Sequence, residues 1–226
     1  EVLEIDEISS SVIDKIPLGN VHPEGIAINS RLNKVYVAHS GNLLSVIDLT
    51  SNEVTRSVNT GYYNHMIAVN EVTNRVYVTR SYYNRLTVID GNTDTFLEAI
   101  PVGRNPWGVV VNSKTNQIYV ANSDSNTVSV IDGTTNTVVD TIAVQSHPLG
   151  IAVNETVNRI YVANSWNNSV SIINGDTNQV IETVFAVGNH PDGIAVNQNT
   201  GRAYVTNEQG NNVTVIVDSA AVPPPS

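Results

Sequence analysis

The chain has no cysteine, one methionine, two phenylalanines and two tryptophans. Without cysteine it can form no disulfide, carry no thiol nucleophile and offer no cysteinyl metal site. Charge is also scarce. Only 14% of the 226 residues are charged, against the usual quarter, and just three are lysines, Lys15, Lys34 and Lys114. The net charge of −10, with no basic run, argues against nucleic acid or an anionic membrane surface as partner. No apolar run approaches the length of a membrane-spanning helix, so no membrane insertion is expected. Asparagine and valine fill the space left by these absences, with 30 and 36 residues. Valine favours strands, and asparagine favours tight turns and tolerates left-handed backbone.

The two abundant residues recur in register. A segment ending in asparagine appears at Gly25–Asn29, Ile67–Asn70, Gly108–Asn112, Gly150–Asn154 and Gly193–Asn197, with its last residue stepping by 41, 42, 42 and 43. Tyr36, Tyr77, Tyr119, Tyr161 and Tyr204 step identically, and Asp48, Asp90, Asp132 and Asn174 lie 42 apart. Each unit holds four short strands, here a to d: a small apolar a, two apolar runs b and c, and a charged d. Four strands in about 42 residues is the arithmetic of a β-propeller blade. The expected fold is all-β, a five-bladed propeller with four antiparallel strands per blade. The blades run approximately over 25–60, 66–102, 108–144, 150–187 and 193–217. The last is completed by the N-terminal strand 12–18, which seals the ring and removes exposed edges. Residues 2–6 also read as a c strand and compete with 213–217 for one place. One domain over 1–218 is followed by a proline-rich segment, 219–226, that reads as a linker within a larger multidomain chain.

The motif Pro-x-Gly-Ile-Ala-Val-Asn, followed by Tyr-Val-(Ala/Thr)-Asn, stands at Pro148–Asn154 with Tyr161–Asn164 and at Pro191–Asn197 with Tyr204–Asn207. It resembles the YVTN family of β-propeller repeats over nearly all of residues 12–218. The resemblance implies a propeller of the surface-layer or cell-surface type, exported from the cell. It implies little about chemistry, because propellers host many functions. The second blade departs from the pattern, with Asn64, Met66 and Arg80 in place of proline, glycine and asparagine, and His39 replaces the final asparagine in the first.

The repeated asparagine, aspartate and tyrosine columns read as turn chemistry and inter-blade packing. The residues outside the repeat are more informative. Strand alternation puts the d–a and b–c loops on one face and the a–b and c–d turns on the other. All five histidines, both tryptophans and the four tyrosines outside the column fall on the first face. One sector gathers Tyr62, Tyr63, His65, Arg80, Tyr82, Tyr83, Arg85, Arg104 and Trp107, with Trp166 further round. Aromatic faces beside guanidinium forks suit a protein hot spot or a glycan bearing carboxylate. His22, His147 and His190, each followed by proline, occupy equivalent positions and are candidate ligands for a metal ion at the channel mouth. Otherwise no cofactor is expected.

No G-x-S-x-G, H-E-x-x-H or phosphate-binding loop is present. The expected function is therefore a non-catalytic binding or scaffold module of an exported or cell-surface protein, contacting a protein or glycan through the d–a/b–c face. Two alternatives are a lyase or hydrolase at the channel mouth, with His147 or His190 as base, and a purely architectural repeat that assembles through blade edges.

Overall fold

Short apolar runs punctuated by asparagine give twenty-one strands in the computed structural model, which describes residues 1–218. The proline-rich segment 219–226 lies outside the described residues. The first two strands, β1 (Val2–Asp6) and β2 (Ser11–Ile16), form a hairpin. Four four-stranded antiparallel sheets follow. The first contains β3 (Pro23–Asn29), β4 (Lys34–His39), β5 (Leu43–Asp48) and β6 (Glu53–Asn59). The second contains β7 (Asn64–Asn70), β8 (Arg75–Arg80), β9 (Arg85–Asp90) and β10 (Thr95–Pro101). The third contains β11 (Pro106–Asn112), β12 (Gln117–Asn122), β13 (Thr127–Asp132) and β14 (Thr137–Ala143). The fourth contains β15 (Pro148–Asn154), β16 (Arg159–Asn164), β17 (Ser169–Asn174) and β18 (Gln179–Phe185). A three-stranded sheet of β19 (Pro191–Asn197), β20 (Arg202–Asn207) and β21 (Asn212–Val217) completes the described chain.

The asparagine excess is a backbone requirement. Among the described residues, twelve of the eighteen non-glycine positions with positive φ are asparagine, one at nearly every turn, as at Asn33, Asn74, Asn116 and Asn158. The c–d turns are closed by the aspartate column, whose Oδ1 accepts the N–H groups two and three residues on. Asp132 takes Thr134 at 2.6 Å and Thr135 at 3.2 Å, and Asn174 does the same for Asp176 and Thr177. The asparagine that ends each a strand caps its a–b turn in the same way and also ties sheets together. Asn70 donates to Asn116 and Asn112 donates to Asn158, each at 2.7 Å. At Asn154 the chain of bonds stops, because Gly201 stands where the next left-handed asparagine would be, and among the described residues the Asn154 side-chain nitrogen has no partner.

The sheets stack face to face, with β3 on β7, β7 on β11, β11 on β15 and β15 on β19. Each interface is an apolar cluster with one tyrosine of the column in it: Tyr36 with Ile67 and Val76, Tyr77 with Val109 and Ile118, Tyr119 with Ile151 and Ile160, Tyr161 with Ala203 and Val205. Burial on both faces explains why the b and c strands read as continuous apolar runs rather than alternating ones. Where they can, the tyrosine hydroxyls reach the turn of the following sheet. That of Tyr36 donates to the Gly91 carbonyl at 3.2 Å, and that of Tyr161 donates to Asp218.

The two ends depart from the expected closure. The strand at 12–18 does not complete the last sheet, because β2 pairs with β1. The physical reason is proximity and cover. A four-residue connection closes the hairpin at little entropic cost, and Val2, Ile16 and Leu18 then bury against Val35, Val37 and Ile47. Strand β20 accordingly alternates exposed and buried residues, whereas β4, β8, β12 and β16 are buried on both faces. Tyr204 is 38% exposed where the other four column tyrosines are at most 1%.

Candidate binding face

The two-faced layout follows from strand direction, and one repeated hydrogen bond fixes it. The b–c loop of each sheet donates an N–H to the d–a loop before it: Ser40 to His22, Ser81 to Tyr63, Ser123 to Asn105, Ser165 to His147 and Glu208 to His190. The a–b and c–d turns pair likewise at the opposite end, as in Gly91 to Asn74 and Gly133 to Asn116. The d–a and b–c loops therefore sit side by side, and the side chains outside the repeat are carried on them.

In the second sheet this brings three tyrosines together. The ring of Tyr63 lies 5.1 Å from Tyr82 and 6.3 Å from Tyr83, and Tyr82 meets Tyr83 edge-on at 5.3 Å. The Arg80 guanidinium stands 4.9 Å over the Tyr83 ring, and its Nε donates to the Tyr62 carbonyl at 3.4 Å. Gly61 leaves the space this guanidinium fills, since a Cβ there would strike it. All four tyrosines are exposed, Tyr82 at 72%. Tyr63 has φ of 65°, at the position that Asn105 fills in the next sheet. A bulky residue in left-handed backbone costs about 1–3 kcal/mol, and such strain concentrates at functional sites. Arg85 pairs in register with Arg80 at the neck of the same loop.

A groove of about 360 Å³ runs from this cluster to the third sheet, lined by Tyr63, Ser81, Tyr82, Arg104, Asn105 and Asp124 among others. Arg104 donates to the Asp124 carbonyl at 2.9 Å. Asp124 continues the belt, with its carboxylate 4.0 Å from His147 Nδ1, and the His147 ring stacks on Trp166 at 4.1 Å. The two sectors expected from sequence are thus joined through Asp124, whose bridging place depends on inter-sheet distances that the sequence does not show. His65 and Trp107 stack at 4.0 Å, with His65 Nε2 3.0 Å from the Ser81 hydroxyl. Trp107 lines the inner cavity between the sheets rather than the tyrosine groove.

The histidines divide into different environments. His39 is buried, contrary to its expected place among the loop-face side chains. Its Nε2 lies 2.8 Å from Ser45 Oγ, the bond that Asn122 and Asn164 make to Ser129 and Ser171 in their sheets, so it substitutes for the repeat asparagine. His22 lines a separate pocket with Asn20, Asn42 and Leu43. His190 Nδ1 lies 3.0 Å from Glu208 Oε2. Among the described residues no three histidine, aspartate or glutamate side chains are grouped to hold a metal ion, and His22, His147 and His190 do not assemble as one centre. Burial holds the imidazoles of His39, His65 and His147 below the usual histidine range. Burial, then the nearby Glu208, pushes the Asp192 carboxyl up.

Residues 104–131 match the NHL repeat family, a stretch that runs from the loop before β11 into β13. No curated protein sequence matches the chain significantly. Among solved structures, hydrazine synthase of Kuenenia stuttgartiensis is similar in fold, with a TM-score of 0.76 at 20% sequence identity over 83% of this chain. The match covers 56% of that chain, so the present one spans little more than half its length. The stacked antiparallel sheets, the repeat and these similarities identify a β-propeller repeat protein.

Proposed function

We propose that this chain is a non-catalytic binding module that docks a protein partner on its d–a/b–c loop face. The observation that carries this reading is the exposed cluster of Tyr63, Tyr82 and Tyr83 under Arg80, held partly by strained backbone at Tyr63. Tyrosine and arginine are the residue types that dominate protein hot spots, and a rigid sheet scaffold presents them with little ordering cost. Similarity of the repeat motif to YVTN propellers supports a place on an exported or cell-surface protein. The same similarity supports a glycan as the alternative ligand of this face.

The test is affinity capture from surface-labelled cells with the wild-type chain and the Tyr82→Ala/Tyr83→Ala variant, in parallel with a glycan array. Both tyrosines are exposed, so the variant should fold. The reading expects one or more proteins captured by the wild type and lost with the variant. An unchanged set of captured proteins would refute it, and array binding lost with the variant would favour the glycan. A second reading, acid–base catalysis at the channel mouth, has in its favour the raised Asp192 carboxyl and the 3.0 Å His190–Glu208 pair. Turnover of polyuronates or cyclic esters, abolished by His190→Ala, would establish it.

A further inference from the structure

The residue just ahead of the inner-strand glycine, or of Met66 in the second sheet, is structurally equivalent in every sheet. The fold therefore makes the same demand on it five times. The sequence answers with five different residues: Glu24, His65, Trp107, Leu149 and Asp192. The backbone here is tightly set. A Cβ on Gly108 or Gly150 would collide with the carbonyl oxygen of Leu149 or Asp192 in the following sheet. What varies is only the chemistry displayed at the mouth.

Beneath this column the inner strands β7, β11, β15 and β19 enclose a cavity of about 190 Å³. Drug-sized ligands need about 300–1,000 Å³, so this space fits one slender side chain. Its walls are apolar, with Ile67, Val109, Ile151 and Ile194 below and Trp107 at the rim. Met66 also lines it, where the other four sheets have glycine. Among the described residues, Asp192 is the one charged residue in the lining. It is partly buried, and burial and Glu208 outweigh the favourable field of His190, so its carboxyl is pushed up. A carboxylate held against hydrocarbon is costly unless it is paired. An anionic occupant would be repelled, and a neutral apolar one would strip more water from Asp192 without compensating it. An ammonium group on an aliphatic stem satisfies both features, pairing with Asp192 while the stem packs on the apolar walls and Trp107. The chain's net charge of −10 attracts such a group from a distance.

We propose that this cavity receives a lysine side chain presented by the protein partner, its ammonium at Asp192 and its methylenes along Trp107 and the isoleucine walls. The proposal rests on the partner-binding reading above and adds the residue type that the partner presents.

The probe is Nα-acetyl-lysine N-methylamide, titrated into the ¹⁵N-labelled chain while the indole N–H signals of both tryptophans are followed. The expected result is a saturable shift of the Trp107 signal with Trp166 unmoved. The norleucine analogue, which keeps the four-carbon stem and lacks the ammonium, should bind about tenfold more weakly, as should lysine amide to Asp192→Asn. No saturable shift at Trp107, equal binding of the two amides, or unaltered affinity in Asp192→Asn would each overturn the proposal. Such failures leave intact the partner capture that depends on Tyr82 and Tyr83, so the two readings stand or fall separately.

Discussion

Tyr77 and Tyr204 occupy the same column of the repeat in different surroundings, and truncating each measures the difference. Tyr77 is fully buried between the second and third sheets, and its hydroxyl has no hydrogen-bond partner among the described residues. Burial pushes that hydroxyl up to about 12. Tyr77→Ala therefore removes ring packing without orphaning a partner, and should cost about 3–5 kcal/mol, as for other large aromatic truncations in cores. Tyr204 lies on the outer face of β20 and is 38% exposed. A tyrosine buries about 200 Å², so about 75 Å² stays wet in the folded state, worth about 2 kcal/mol at about 25 cal/mol per Å². The space left by its truncation also opens to water instead of forming an enclosed void. Tyr204→Ala should thus cost about 1–2 kcal/mol. Urea unfolding, followed by far-ultraviolet circular dichroism at several protein concentrations, measures both. Equal costs would refute the reasoning, since they would mean that the outer face of the β19–β21 sheet is covered in solution.

Three further outcomes follow from the same geometry. Gly150→Ala should destabilise by about 3 kcal/mol because the new Cβ meets the Asp192 carbonyl, while Gly41→Ala, with open space around it, should change stability by less than about 0.5 kcal/mol in the same assay. Tyr63→Asn should raise stability by about 1 kcal/mol by placing the repeat's own residue in left-handed backbone, and should weaken partner capture; a loss of stability would argue against strain at Tyr63. His39 is buried and held below the usual histidine range, so the folded state favours its neutral form. Its contribution to stability is complete above the unfolded value of about 6.5 and is lost as pH falls below it. His39→Asn should therefore flatten the fall in unfolding midpoint as pH drops below about 6.5, and an unchanged pH profile would show that His39 is not a source of acid sensitivity.

Much of the candidate site could be read from the sequence, because strand alternation alone decides which loops share a face. That places Tyr62, Tyr63, Tyr82, Tyr83 and Arg80 together. The belt through Asp124 was not legible, since it depends on how closely the second, third and fourth sheets approach one another. His39 reads as a loop-face residue because it stands at the start of a b–c loop, yet its column is the buried asparagine that bonds a c-strand hydroxyl.

The repeat, the strand order within each sheet and the turn chemistry are all written in local sequence. These are local: a 42-residue period, valine in strands and asparagine at left-handed turns act within a few residues of themselves. The pairing of the ends was decided only in three dimensions. The segments 2–6 and 213–217 are both competent c strands next to the same d strand, so local pattern could not choose between them. The choice fell to the short hairpin loop and to the burial of Val2, Ile16 and Leu18 on the first sheet. The inner cavity is likewise a property of the assembly, because residues some 42 positions apart in the chain meet there only after the sheets have stacked.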